Sequence, residues 1–147
     1  MIKIGSNISS FSTYSCRPKT NEELREIIKS RIEKEGPNCD LPDIDVSMIT
    51  DMSFLFYDSD FTGDISRWDV SNVVSMKRMF TFSSFNGDIS EWNVSNVLNM
   101  MKMFVLSKFN QDISNWKIND DCNTEDMLFC CEIKNEFKPK SLQKCSR

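Results

Sequence analysis

The sequence predicts an α/β repeat solenoid, a stack of short parallel strands and short helices with an N-terminal helical cap. The first observation is a fixed period of 24 residues, with 14 identical positions between the stretches 61–84 and 85–108. The second is that large apolar side chains recur at the same phase, as at Trp68, Trp92 and Trp116. Self-similarity over short units is typical of solenoids, in which each unit buries its apolar face on its neighbours.

The composition favours a single domain and a non-enzymatic function. At 147 residues one domain is expected, and the chain contains no histidine, the commonest general base and metal ligand. A net charge of −4 makes nucleic acid an unfavourable partner, because affinity for it depends on neutralising phosphates. No apolar run is long enough to form a membrane span. We therefore expect no catalytic residues, no cofactor and no bound metal.

The chain is expected to begin with a flexible arm at residues 1–17, which are polar and carry no periodic pattern. This segment lacks the continuous apolar stretch of a signal peptide. The absence of a signal peptide's apolar stretch favours a cytoplasmic location.

Residues 18–36 predict the N-terminal cap helix. Thr20 and Glu23 match a capping box, in which the Thr side chain accepts from the Glu amide and the Glu side chain reaches back. Gly36-Pro37 should end the helix. One apolar stripe, expected to cover the open core of the first repeat, consists of Leu24, Ile27, Ile28 and Ile32.

Four repeat units should follow the helix and form the solenoid over 37–132. In the last unit polar residues, Asp121 and Thr124, occupy apolar phases, as expected of a C-terminal cap. Residues 133–147 form a basic tail, either a solvated end or a docking segment for an acidic partner. The units span 37–60, 61–84, 85–108 and 109–132.

Within each unit the pattern predicts a strand followed by a short helix. Ile65–Val70 is short, β-branched and aromatic, which favours a strand. Apolar residues at i, i+3, i+6 and i+7 over Val73–Phe80 favour two helical turns, with Ser71-Asn72 at the helix start. Successive strands should form a parallel ladder.

The string Phe-Asn-Gly-Asp-Ile-Ser-Glu-Trp-Asn-Val-Ser-Asn-Val-Leu-Asn-Met at 85–100 resembles the BspA-type leucine-rich repeat family. The segments at 19–24 and 49–52 resemble the usual lead-in of these repeats, so that the resemblance covers about 17–132. Such repeats are common in bacterial surface proteins and mycoplasma lipoproteins. The resemblance implies a repeat solenoid with adhesion or protein-binding roles, a cell-surface location and no catalytic residues.

Three polar or aromatic ladders have a structural interpretation, and the Trp and Asp ladders also have a functional one. The Trp ladder is expected in the core, although exposed Trp could stack sugars or bases. Asn72 and Asn96 are expected to hydrogen-bond the turns of adjacent units. A ladder of carboxylates should satisfy turn amides rather than bind calcium, and it consists of Asp40, Asp64, Asp88 and Asp112.

The six cysteines lie outside the two clear repeats and allow three states. Free or buried thiols, disulfides that staple the ends, and a zinc site all remain open, although the spacing fits zinc poorly. The residues are Cys16, Cys39, Cys122, Cys130, Cys131 and Cys145.

The candidate binding residues are those that change chemistry from unit to unit beside the fixed Trp, because nothing in the predicted core explains them. They are Arg67, Asp69, Glu91, Asn93, Asn115 and Lys117. The alternative face, on the predicted helices, consists of Lys77, Arg78, Met101 and Lys102.

These patterns favour a non-enzymatic solenoid that binds another protein, in adhesion or in contact with a host. The alternative is a small intracellular inhibitor or regulator that occludes a bacterial or phage-defence enzyme. Homo-oligomers could form through the solenoid ends.

Overall fold

The computed structural model describes residues 14–144, and the α-helix in that range, α1, spans Asn21–Glu35. Thr20 Oγ1 accepts a hydrogen bond from the Glu23 amide at 3.1 Å, and Glu23 Oε1 accepts one from the Lys19 amide at 2.8 Å. The predicted capping box therefore forms, with its return bond one residue earlier than expected. The helix ends at Gly36, whose φ of 94° favours glycine.

Helix α1 covers the first repeat unit, as predicted for the cap. Leu24 and Ile28 are buried in the common core. Before the helix, Cys16 forms a parallel bridge with Ile44. Residues 1–13 of the arm predicted at 1–17 lie outside the described residues. No helix within residues 14–144 has the length and apolarity that crossing a bilayer requires.

The predicted α/β solenoid of parallel strands and short helices is wrong. In the described part of the chain the repeat units contain no α-helix and no sheet. Pairing between units is limited to isolated parallel bridges, which join Asp51 to Ser75, Ser75 to Asn99 and Asn99 to Asn123. The leucine-rich-repeat assignment loses its support from the fold for the same reason.

Consecutive tight turns build each unit where a strand and a helix were expected. In the unit 61–84 they close at Ile65–Trp68, Val70–Val73, Met76–Met79 and Phe80–Ser83. The ends of these turns lie in the interior, so apolar residues recur every three positions without a helix. In a helix the Phe80 amide would donate to Met76, but it donates to the Met103 carbonyl of the next unit at 2.8 Å.

Left-handed residues lie inside the last two of these turns, as the third residue of each, and stop a helix from propagating. Arg78 and Phe82 have φ of 53° and 58°, and the equivalent Lys102 and Leu106 have 56° and 54°. A left-handed residue breaks the right-handed spiral that a helix needs. The first and last units repeat the feature at Phe54, Asp58, Asp126 and Cys130.

The core consists of aromatic columns that run through the units. Phe56, Phe80 and Phe104 stack with centroids 5.5 and 5.4 Å apart. The Trp ladder is buried, which confirms the core interpretation: Trp92 is 4% exposed, and its Nε1 donates to the Ile65 carbonyl of the preceding unit at 3.2 Å.

The C-terminal segment continues the repeat register. Ile133 is buried one period after Phe109, and the Ile113 amide donates to the Phe137 carbonyl at 2.9 Å. Short 3₁₀ turns at Asn135–Phe137 and Lys140–Leu142 follow. This segment covers the last unit, while its lysines at 134, 140 and 144 stay exposed.

Candidate functional site

The predicted binding residues beside the Trp ladder form an exposed turn face. All six are exposed: Arg67, Asp69, Glu91, Asn93, Asn115 and Lys117. A surface cavity of about 350 Å³ brings four of them together, at Glu91, Asn93, Asn115 and Lys117. Arg67 and Asp69 do not line it.

Two of these residues have a structural role that the sequence interpretation missed. Asp69 Oδ1 accepts from the Ser71 amide at 3.0 Å and from the Ser71 hydroxyl at 2.6 Å. Asn93 Oδ1 accepts from the amide and hydroxyl of Ser95 at 3.1 and 2.7 Å. The local turn therefore explains an Asp or Asn at this phase.

The Asp ladder has the structural role that was predicted for it. Asp64 Oδ1 accepts from the Ser66 amide at 2.8 Å, and this bond is the main reason that the pKa of Asp64 is lowered. The hydroxyl of Ser90, at 2.7 Å, is the main reason that the pKa of Asp88 is lowered. No group of three or more potential metal ligands occurs among residues 14–144.

The Asn ladder also joins the units as expected, although it is exposed rather than buried. Asn72 Nδ2 donates to the Ser47 carbonyl at 2.9 Å, and Asn96 Nδ2 donates to the Ser71 carbonyl at 2.8 Å. These amides connect the turn of one unit to the preceding one.

The cysteines in the described range are free thiols: Cys16, Cys39, Cys122, Cys130 and Cys131. Burial raises the thiol pKa of Cys39, Cys122 and Cys131, which lowers the fraction present as reactive thiolate. Cys145 lies outside the described residues.

The alternative face lies on what we call the ladder edge, residues 73–84 and 97–108 of the two central units. Along this edge alternate amides donate to the next unit, as at Arg78 to Met101 and Lys102 to Glu125, at 3.0 and 2.9 Å. The side chains of Lys77, Arg78, Met101 and Lys102 are half-buried.

The ladder edge also carries exposed apolar side chains that the sequence interpretation missed. Phe82 and Leu106 are 46% and 52% exposed. The Phe82 amide donates to the Val105 carbonyl at 2.9 Å and the Leu106 amide to the Phe129 carbonyl at 3.2 Å, so these side chains follow one another along the edge. Phe129 is 59% exposed. The rings of Tyr57 and Phe82 pack edge-on, with their centroids 5.8 Å apart. We call Tyr57, Phe82, Leu106 and Phe129 the exposed apolar row.

A signal for this row was present in the sequence. The phase of Phe82 carries Asp58, Leu106 and Cys130 in the other units. The residue type varies at this phase as much as it does at the candidate binding residues, but the phase lies beyond the helix predicted over Val73–Phe80.

Charges on this side of the stack are segregated by unit. The ladder edge contains cations and no carboxylate: Lys77, Arg78, Lys102 and Lys108. The corresponding stretches of the end units, 49–60 and 121–132, contain carboxylates and no cation. Within the four stretches 49–60, 73–84, 97–108 and 121–132, the two signs pair at the boundary between the last two, where Lys108 Nζ lies 3.4 Å from Glu132 Oε2.

A family model described as "Mycoplasma protein of unknown function, DUF285" matches residues 24–140, and the chain belongs to that family. Neither the curated proteins nor the solved structures contain a match to the chain.

Proposed function

We propose that this member of the family is a non-enzymatic module that binds another protein through its ladder edge. The carrying observation is that Phe82 and Leu106 expose apolar side chains from left-handed backbone. Glycine and asparagine are favoured in that conformation, and a large apolar residue there is costly. Neither the backbone nor the core accounts for these two residues, and retained strain is typical of functional sites.

The exposed apolar row supports binding rather than chemistry. Contiguous apolar side chains on a surface are characteristic of protein contacts, in which aromatic residues contribute most of the affinity. The proposal that the module is not an enzyme is supported by the structural roles of its titratable groups. Asp64 and Asp88 hold turns, and the described thiols with shifted pKa are made less reactive by burial.

The turn face is a second candidate surface of the same module. Arg67, Glu91, Asn115 and Lys117 stay exposed, and the latter three share the cavity of about 350 Å³. Their mixed charges suit a protein better than a phosphate backbone. Adhesion at a cell surface and occlusion of an intracellular enzyme would both use such surfaces.

Site-specific photo-crosslinking tests the proposal. Benzoylphenylalanine replaces Phe82 or Leu106 in separate variants, with Arg67 on the turn face and Lys34 on α1 as exposed controls. In extracts of the cells that produce the protein, we expect a discrete protein adduct from the first two positions. Excess unmodified protein should suppress it. Adducts that form only from Arg67 or Lys34, or equally from all four positions, would contradict the assignment to the ladder edge.

A further inference from the structure

We propose that the ladder edge recognises an acidic, apolar peptide segment of its partner, an inference that rests on the proposed function. The segment would place carboxylates against the central cations and apolar side chains against the residues on either side of them. Three observations lead to this assignment. Exposed apolar residues bracket the central cations Lys77, Arg78 and Lys102, these three cations pair with no carboxylate among residues 14–144, and the corresponding stretches of both end units carry carboxylates and no cation.

Exposed apolar residues bracket the cations of each central unit. Val74 and Leu98, 43% and 45% exposed, precede them in the chain, and the Leu98 amide donates to the Val74 carbonyl at 2.8 Å. Phe82 and Leu106 follow them. A ligand that covers both pairs must therefore pass over the basic centre.

The central cations are available for a ligand. Among residues 14–144, the ion pairs join Arg17, Arg31 and Lys108 to carboxylates, and none involves Lys77, Arg78 or Lys102. Their side chains are half-buried, which lowers the local dielectric constant and strengthens attraction to an incoming carboxylate. An acidic group gains both the charge contact and hydrogen bonds from the guanidinium of Arg78.

The acidic ends restrict the shape of the ligand. Asp58 and Asp60 lie before the basic centre, and Glu125 and Asp126 lie after it. Cations of the two flanking segments share surface cavities with these carboxylates: Arg25 and Lys29 with Asp58 and Asp60, and Lys138 and Lys144 with Asp126. The centre is two units wide, about 10 Å at the usual spacing of about 4.8 Å between hydrogen-bonded neighbours. An extended anionic surface such as a bilayer would meet the acidic ends as well. A short acidic segment meets only the cations.

A second copy of the chain fits this surface poorly. In a twofold face-to-face arrangement centred on the edge, the basic centre of one copy meets the basic centre of the other. Like charges at an interface are destabilising. The occupant we infer is therefore a different protein.

Selection from a phage-displayed library of random dodecapeptides tests the inference without the natural partner. The bait is the full chain, and we expect enriched peptides that combine several carboxylates with aromatic or aliphatic residues. A fluorescein-labelled consensus peptide is then titrated against variants by fluorescence anisotropy. Arg78→Glu with Lys102→Glu should weaken binding by about tenfold or more, as for loss of close charge pairs.

Two further variants separate binding from folding. Phe82→Asn with Leu106→Asn keeps a residue suited to left-handed backbone while it removes the apolar side chains, and should weaken the peptide by about tenfold. Lys34→Glu with Lys140→Glu makes the same charge change at exposed positions outside both candidate surfaces and should alter affinity by less than about twofold. Urea midpoints show that each variant is folded, and Arg78→Gln with Lys102→Gln replaces the charge reversal if it unfolds.

Enrichment of basic or uncharged peptides, no enrichment, or equal binding to the edge variants and the parent chain would overturn the inference. Co-sedimentation with phosphatidylglycerol vesicles that the same edge variants abolish would overturn it in favour of a membrane. The photo-crosslinking result decides the proposed function separately. If excess consensus peptide does not suppress an adduct at Phe82, the proposal that the ladder edge binds a protein stands. The inference that it recognises an acidic segment is then wrong.

Discussion

Replacement of Gly63 by Ala tests the close approach of the turn-built units. A Cβ at Gly63 would overlap the carbonyl oxygen of Cys39 and lie 2.6 Å from its carbonyl carbon. The obstacle is backbone of the preceding unit, so no side-chain rotation can remove it. The two units must move apart at this point.

The cost follows from the hydrogen bonds on either side of the contact. The Thr62 amide donates to the Pro37 carbonyl at 2.7 Å, and the Leu41 amide donates to the Asp64 carbonyl at 3.0 Å. Movement that admits the methyl group stretches both. Two such bonds at about 1 kcal/mol each, with about 1–3 kcal/mol of strain from overpacking, give a loss of about 3–5 kcal/mol in the free energy of unfolding.

Gly87 is the matched control, one period later. A Cβ there would lie 2.8 Å from two ring carbons of Phe85, and the nearest backbone of another unit, the Gly63 carbonyl oxygen, is 3.8 Å away. We expect Gly87→Ala to cost about 1–2 kcal/mol, because the Phe85 ring must shift while the units keep their spacing. Urea unfolding followed by Trp fluorescence measures both. Equal losses for the two variants, or an unchanged midpoint for Gly63→Ala, would refute the close approach.

Three further changes test the core, the turn ladder and the helix cap. Trp92→Ala should lower the free energy of unfolding by about 3–5 kcal/mol in urea, because a buried indole is lost; a native-like midpoint would indicate an exposed Trp. The hydrogen bond from Ser66 lowers the pKa of Asp64, so its carboxylate contributes stability above its unfolded pKa of about 3.9, which is lost as pH falls through the lower folded value. Asp64→Asn keeps an acceptor but lacks the charge, so it should be less stable than the parent at pH 7 and lose less stability in acid; equal acid sensitivity would contradict this. Thr20→Ala should cost about 0.5–2 kcal/mol by loss of the bond to the Glu23 amide, measured by thermal melting with Thr50→Ala, at an exposed threonine, as the control.

The sequence predicted the helix correctly because its ends carry specific chemistry. Thr20, Glu23 and Gly36 each have a role that few other segments of the chain can supply. Burial of the repeated aromatic residues was also predicted correctly, because identical large side chains at one phase need a common interior. Both predictions depended on residue identity rather than on spacing.

The prediction of strands and helices within the units was wrong because the apolar spacing is ambiguous. Residues at i and i+3 lie on one side of a helix, but they also lie at the two ends of a tight turn. The usual marker of the second case is Gly or Asn at positive φ. Here Arg78 and Phe82 occupy those positions, and their residue types give no sign of it.

The candidate site was predicted only in part for a related reason. Asp69-Val-Ser71 and Asn93-Val-Ser95 have the Asx-x-Ser pattern of side-chain-capped turns, so their structural role could have been found from sequence. The exposure of Phe82 could not have been predicted from the sequence. In a helix-based interpretation this residue lies beyond the last helical turn, and only the left-handed backbone carries its ring outward.

The same backbone feature explains how the ladder edge can vary without a change of fold. The four residues at one phase are an acid, an aromatic ring, an aliphatic chain and a thiol: Asp58, Phe82, Leu106 and Cys130. Their φ values are 52°, 58°, 54° and 55°. Since side chains this different adopt one backbone conformation, the conformation must be imposed by the neighbouring units, whose carbonyls accept the amides of Asp58, Phe82 and Leu106. The fold therefore does not depend on the residue type at this phase. We infer that the side chain here is selected by what the ladder edge contacts.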